Sequence, residues 1–135
     1  MIIKQLSVFI ENKTGRINEV TRILADQGIN MSAFSLAENA EFGILRMIVS
    51  DTEDAASALK AAHFGISAND VLCIVCPNTP GAMHQVLEVL AQEQVFIEYM
   101  YAFSQGDSAN VVIRPTDVQR AAEILSAAGY GATGL

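Results

Sequence analysis

Displaced by 66 positions, this sequence aligns with itself without a gap. Asn12 falls on Asn78, Gly15 on Gly81, Leu24 on Leu90, Asp51 on Asp117 and Leu59 on Leu125, among 13 identities in 69 aligned pairs. Ile17 with Met83, Ile29 with Val95 and Met31 with Ile97 are apolar matches at the same offset. A fixed period of this length marks a duplicated structural unit. Each half must then fold as one copy of the same element order, with domains expected at residues 1–68 and 69–135.

The order of elements follows from periodicity. LSVFI (Leu6 to Ile10) and VLCIVC (Val71 to Cys76) are β-rich runs that stop at Asn, Thr, Pro and Gly, so each reads as a strand ending in a turn. Ile17, Val20 and Leu24, and likewise Met83, Val86 and Leu90, recur at helical spacing. Gly28 ends the first of these helices. Two extended stretches follow in each half, 29–37 and 42–50, then 95–103 and 109–114, joined by polar turns at 38–41 and 104–107. Asp51 or Thr52, and Thr116 or Asp117, cap a second, alanine-rich helix expected to end near Gly65 and Gly129. Residues 64–69 and 130–135 leave room for one short last strand each. The expected fold class is α+β: two ferredoxin-like βαββαβ units, antiparallel sheets with helices on one face. A lone unit of this size buries only about 60% of its unfolded surface, so the two units are expected to pack together.

Composition removes several function classes. With 51% hydrophobic and 17% charged residues this is a packed globular chain. The net charge of −7 and the scattered eight Lys plus Arg leave no basic face for nucleic acid. No apolar run reaches the roughly 18 residues of a membrane span, and the N-terminus does not read as a signal peptide. Cys73 and Cys76 are the only cysteines, a usage that fits a reducing, cytoplasmic compartment. A C-x-x-C pair also suggests metal, yet both residues fall within an expected strand, where positions three apart face opposite ways and cannot share one ion. No cofactor is expected.

The run NKTGRINEVTRILADQGINM (Asn12 to Met31) followed by FGILRMIVSD (Phe42 to Asp51) resembles the ACT domain, a small-molecule-binding regulatory module of amino-acid metabolism. CPNTPGAMHQVLEVLAQEQVFIEYM (Cys76 to Met100) is similar but looser. Together they cover essentially the whole chain, as in a stand-alone tandem ACT protein. The resemblance implies a non-catalytic amino-acid sensor. Its ligand would sit at the interface between ACT units, near the turn after the first strand. The expected form is a homodimer, with a regulated enzyme acting in trans. In serine-binding ACT domains one asparagine stands in that turn and another at the start of the second strand. Carried over, these are Asn12 and Asn30, and Asn78 in the second half; Phe96 takes the place of the second asparagine there. That family's histidine before the turn corresponds to Ile10 and Cys76, a further departure from the serine-binding pattern.

The turn chemistry supports the same place independently. Gly15 and Gly81 let the backbone take positive φ and let a ligand approach. The helix that follows exposes free N–H groups, with Arg16 and Ile17, or Ala82 and Met83, as the first contributors. Such a terminus contributes about 0.3 to 1 kcal/mol toward an anion, whereas a micromolar ligand needs roughly 8. Side chains must supply the rest. Candidate site residues are therefore Asn12, Lys13, Thr14, Gly15, Arg16, Ile17, Asn30 and Met31 in the first half. In the second they are Asn78, Thr79, Pro80, Gly81, Ala82 and Met83, with Glu98 for the ligand's amino group.

Blander readings stand beside these. Asparagine is favoured before such turns for turn chemistry alone. Lys13, Arg16 and His84 suit a solvated face, and His63 suits the dipole at the end of its helix. Tyr99, Tyr101 and Phe103 recur at period two and make one sheet face aromatic. Two other functions compete with the sensor. One is a purely structural dimerisation module. The other is a small ferredoxin-like hydrolase built on Arg16 and Asn12, for which no nucleophile and base pair is visible.

Overall fold

The computed structural model describes residues 1–39 and 41–131. Its elements are β1 (Ile2–Glu11), α1 (Arg16–Asp26), β2 (Met31–Glu38), β3 (Phe42–Val49), α2 (Thr52–Ala61) and β4 (Gly65–Pro77). They continue with α3 (Ala82–Gln92), β5 (Ile97–Gln105), β6 (Ser108–Pro115) and α4 (Val118–Ala127). Two compact units emerge. One is Lys4–Asn69; the other runs from Asp70 onward and includes Met1–Ile3.

In the first unit the strand order is β2-β3-β1, with β3 antiparallel to both neighbours. Directly opposed residues share a face, so the row Val8, Leu45, Leu36 points the same way as Leu6, Met47 and Ile10. Against that face α1 sets Val20 and Leu24, and α2 sets Ala55 and Leu59. The apolar stripes predicted from periodicity thus close one core on one side of the sheet. The second unit repeats the plan in the order β4-β6-β5, with Leu72, Ile74, Val111 and Ile113 meeting Val86, Leu90, Ala121 and Leu125.

The offset of 66 is kept in backbone geometry as well as in residues. Leu24 O accepts the N–H of Ile29 at 2.9 Å, and Leu90 O that of Val95 at 3.0 Å. β2 is bulged between Met31 and Ala33, and β5 between Ile97 and Tyr99. Gly28 has φ 69°, and the equivalent Gln94 accepts the same left-handed conformation at φ 57°. Asp51 Oδ1 accepts from Asp54 N–H at 3.0 Å and Asp117 Oδ1 from Arg120 N–H at 3.0 Å, which selects between the two cap residues considered for each helix. Replacing either aspartate with alanine is expected to cost about 1 kcal/mol in urea unfolding. An unchanged midpoint in both variants would mean that water replaces the cap at no cost.

Two expectations need correction. Gly65 does not end α2: the helix stops at Ala61, His63 takes the left-handed position at φ 68°, and Gly65 opens β4. The short strands expected on either side of residue 69 are one unbroken strand of 13 residues. Its first residue lies beside Phe9 of β1, whereas Leu72 to Pro77 pair with β6, so both parts of the strand find partners and no turn is needed. Met1 is also recruited away from its own half, its carbonyl accepting the Cys73 N–H at 2.8 Å. The last residues of the proposed final strand, 132–135, lie outside the described residues.

Cys76 packs in the core beneath the helices, while Cys73 opposes Val112 on the other face, and neither is in a disulfide. Burial pushes the Cys76 thiol up. Among the described residues no cluster of three His, Cys, Asp or Glu could hold a metal, and no helix is long and apolar enough to cross a membrane.

Candidate functional site

β1 and β2 of the first unit end, and β3 begins, beside the turn that leads into α1. There, Ile10, Glu11, Asn12, Lys13, Ile17, Leu36, Glu38 and Gly43 line a cavity of about 110 Å³. Register explains the floor. Gly43 lies between Ile10 on β1 and Glu38 on β2 in one cross-strand row. A Cβ at this position would stand 3.3 Å from Ile10 Cγ1 and 3.4 Å from Leu36 Cδ1, so glycine is what leaves the row open. A glycine inside a strand commonly marks such a close approach.

The turn that forms the rim is held by its own backbone. Asn12 N–H donates to Glu41 O at 3.1 Å, Lys13 N–H to Glu11 O at 2.8 Å and Arg16 N–H to Lys13 O at 3.2 Å. Gly15 supplies the reversal at φ 90°, as expected of it, and brings no capping side chain. The Arg16 N–H, expected to be available to a ligand, is therefore used inside the turn. The second turn spends its Ala82 N–H in the same way, on Thr79 O at 3.2 Å. Ile17 and Asn18 follow as the helix N–H groups that no side chain caps.

The charges around the cavity are mixed. Lys13 Nζ lies 2.9 Å from Glu11 Oε2, and its hydrogen bond and charge hold the Glu11 carboxyl below the usual carboxylate range. Both side chains are exposed, so this pair orders the rim more than it stabilises the fold. Glu38 is in no ion pair among the described residues. The Asn12 carboxamide likewise has no hydrogen-bond partner among them. The lining thus offers a cation, two carboxylates, an amide and the apolar side chains of Ile10, Ile17 and Leu36. This set can accept an ammonium, a carboxylate and a small apolar group at once. Ser, Thr, Cys and His, the usual nucleophiles and bases, are missing from it. The volume is well below the ~300–1,000 Å³ of sites for drug-sized ligands.

Other candidates are placed elsewhere. The Arg16 guanidinium turns from the cavity to Glu19, 2.8 Å away, and lies 4.6 Å over the Phe64 ring. Thr14 is exposed on the turn. Asn30 and Met31 begin β2, whereas Leu36 and Glu38 near its end line the cavity, about 20 Å further along at ~3.3 Å per residue. There Asn30 O accepts the Ser50 N–H at 2.9 Å and the Asn30 N–H donates to Ser50 Oγ at 2.9 Å, while Met31 packs on the core. In one unit Asn12 and Asn30 do not meet.

In the second unit Asn78 Nδ2 donates to Gly106 O at 3.1 Å and its N–H to Asp107 O at 2.8 Å, tying the turn to the β5–β6 connection. The residue equivalent to Gly106, Ala40, lies outside the described residues. Thr79 and Pro80 are exposed and Gly81 takes φ 84°, while Ala82 is buried and Met83 packs on the core. Glu98, near the far end of β5, bonds Arg114 Nε at 3.2 Å. Sequence reading did not place Glu11, Leu36, Glu38 or Gly43 in a site. Only Gly43, isolated in a strand pattern, carried a local signal.

The two tandem βαββαβ units, each with a glycine turn between first strand and first helix, define a duplicated ferredoxin-like chain. The family model for an ACT domain pair matches residues 1–129, and the chain belongs to that family. A protein of Bacteroides thetaiotaomicron is 53% identical, with a TM-score of 0.93 over 96% of this chain and 90% of its own. The ligand-free regulatory subunit of aspartate kinase from Thermus thermophilus is 16% identical, with a TM-score of 0.68 over 96% of this chain and 95% of its own. The corresponding subunit from Thermus flavus is 15% identical, with a TM-score of 0.66 over 95% of each chain. At these identities the two subunits share the fold. No curated protein matches the chain.

Proposed function

We propose that this tandem ACT chain is a non-catalytic regulatory module that senses a small amino acid, held at the β1–α1 turn of the first unit. The observation that carries the reading is the cavity itself. It gathers a cation, carboxylates, a carboxamide and an apolar floor beside the turn after the first strand, whereas the sequence resemblance implied a ligand near that turn but between ACT units. Lys13 and the uncapped start of α1 suit the ligand's carboxylate, and the open row at Gly43 takes a short side chain. A ligand that binds only one conformation shifts the population toward it. The regulated partner is an enzyme acting in trans, and a reducing, cytoplasmic setting suits a chain whose two cysteines are not in a disulfide.

A homodimer belongs to the same proposal. Phe34 and Leu36 lie 60% and 51% exposed on β2, an edge strand, and pairing of two chains would cover them. Calorimetric titration of the whole chain against the twenty amino acids tests binding. One of them is expected to release heat and, at 100 times its Kd, to stabilise the fold by about 2.7 kcal/mol. No heat and no thermal shift with any of them removes the sensor reading. Sedimentation that finds monomer alone at micromolar concentration removes the dimer.

A further inference from the structure

We infer that binding is confined to the first unit, where Gly43 and Glu38 select an unmodified amino acid, and that the second β1–α1-type turn is a structural copy. The inference rests on the amino-acid reading above. It starts from comparing the two halves at the cavity, where the turns share a glycine reversal and two backbone hydrogen bonds while the side chains differ. Both turns reverse at a glycine of φ near 90°, both tie their asparagine N–H to the neighbouring strand connection, and both close with an N–H to the carbonyl three residues back.

The lining has lost its charge in the second half. Glu11 is replaced by Pro77, Lys13 by Thr79 and Glu38 by Ser104. No charged side chain stands at these three positions to answer either end of a zwitterion. The floor has also changed. Ala109 takes the row position of Gly43, between Cys76 and Ser104 as Gly43 is between Ile10 and Glu38. Its methyl enters the core at 8% exposure, on the row that Gly43 leaves open.

Within the first unit the two carboxylates are not equivalent. Lys13 already compensates Glu11 at 2.9 Å, whereas Glu38 has no ion pair among the described residues. Glu38 is therefore the carboxylate of this cavity that stands outside an ion pair among the described residues, although Arg46 lines a neighbouring cavity with it. A ligand's ammonium is the group that answers it. Gly43 sets the size limit, since one added carbon would press on both Ile10 and Leu36. The ligand class is a small amino acid with a free α-ammonium.

The test uses the whole chain and calorimetric titration with glycine, L-alanine, L-serine, L-threonine, L-lysine and L-aspartate. The tightest of these is then repeated as its N-acetyl derivative. We expect at most one equivalent per chain, and no binding of the N-acetyl form. Glu38→Gln is expected to weaken the best ligand at least tenfold, and Gly43→Ala by a similar factor. The double variant Thr79→Ala, Ser104→Ala should keep the wild-type affinity within twofold. Glu38 is exposed at a strand end, so its variant tests the inference even if Gly43→Ala fails to fold by circular dichroism. Two equivalents per chain, or undiminished binding by Glu38→Gln or of the N-acetyl form, overturns the inference and leaves the sensor reading standing. If none of the twenty amino acids binds the wild-type chain, both fall.

Discussion

Leu24→Ala and Leu90→Ala are each expected to remove about 2–5 kcal/mol of folding free energy. The two leucines occupy the same position in α1 and α3, at 1% and 0% exposure, each in the core of its own unit. Truncation deletes buried methyl groups and leaves a cavity that helix and sheet fill only in part. Against a typical total of about 5–15 kcal/mol the loss is large. Urea unfolding followed by circular dichroism measures it, with exposed Thr21→Ala as the control expected to stay within about 0.5 kcal/mol. A loss below about 1 kcal/mol at either leucine would show that its side chain does not bridge helix and sheet as the structure places it.

Gly15→Val and Gly81→Val should each cost about 1–3 kcal/mol, for a different reason. Nothing lies within 4 Å of a Cβ built at either position, so space is not at issue. The cost is conformational: φ values of 90° and 84° place the backbone where an L residue, above all a β-branched one, is strained. Asparagine tolerates the left-handed region better, so Gly15→Asn should retain more stability than Gly15→Val. Wild-type stability in both valine variants would mean that the turns relax freely. Binding separates the two positions further. Gly15→Val moves Asn12 and Lys13 and should weaken the amino acid, whereas Gly81→Val should leave affinity unchanged if the first unit alone binds.

These contrasts show which parts of the molecule were open to sequence reading. Leu24 and Leu90, and the two glycine turns, were legible because each rests on local chemistry repeated at one offset. The capping aspartates were legible for the same reason. Gln94 was not, because a left-handed residue after a helix usually announces itself as glycine, and here the following Val95 N–H bond to Leu90 O holds glutamine in that conformation. Glu38 and Leu36 were hidden too. Their part in the cavity depends on lying across from Gly43 and Leu45, partners set by strand register.

Helical and strand periodicity, the turn glycines and the repeat are properties of neighbours along the chain, and they were enough to define two βαββαβ units and the glycine turn between first strand and first helix in each. Pairing across the sheet is a matter of long-range register, in which a one-residue slip exchanges every side chain between faces. That register made one strand of Gly65–Pro77 and took Met1–Ile3 into the second unit. It also put Asn30 at the far end of β2 and left the space beside Gly43 that turns a reversal in the chain into a candidate binding site.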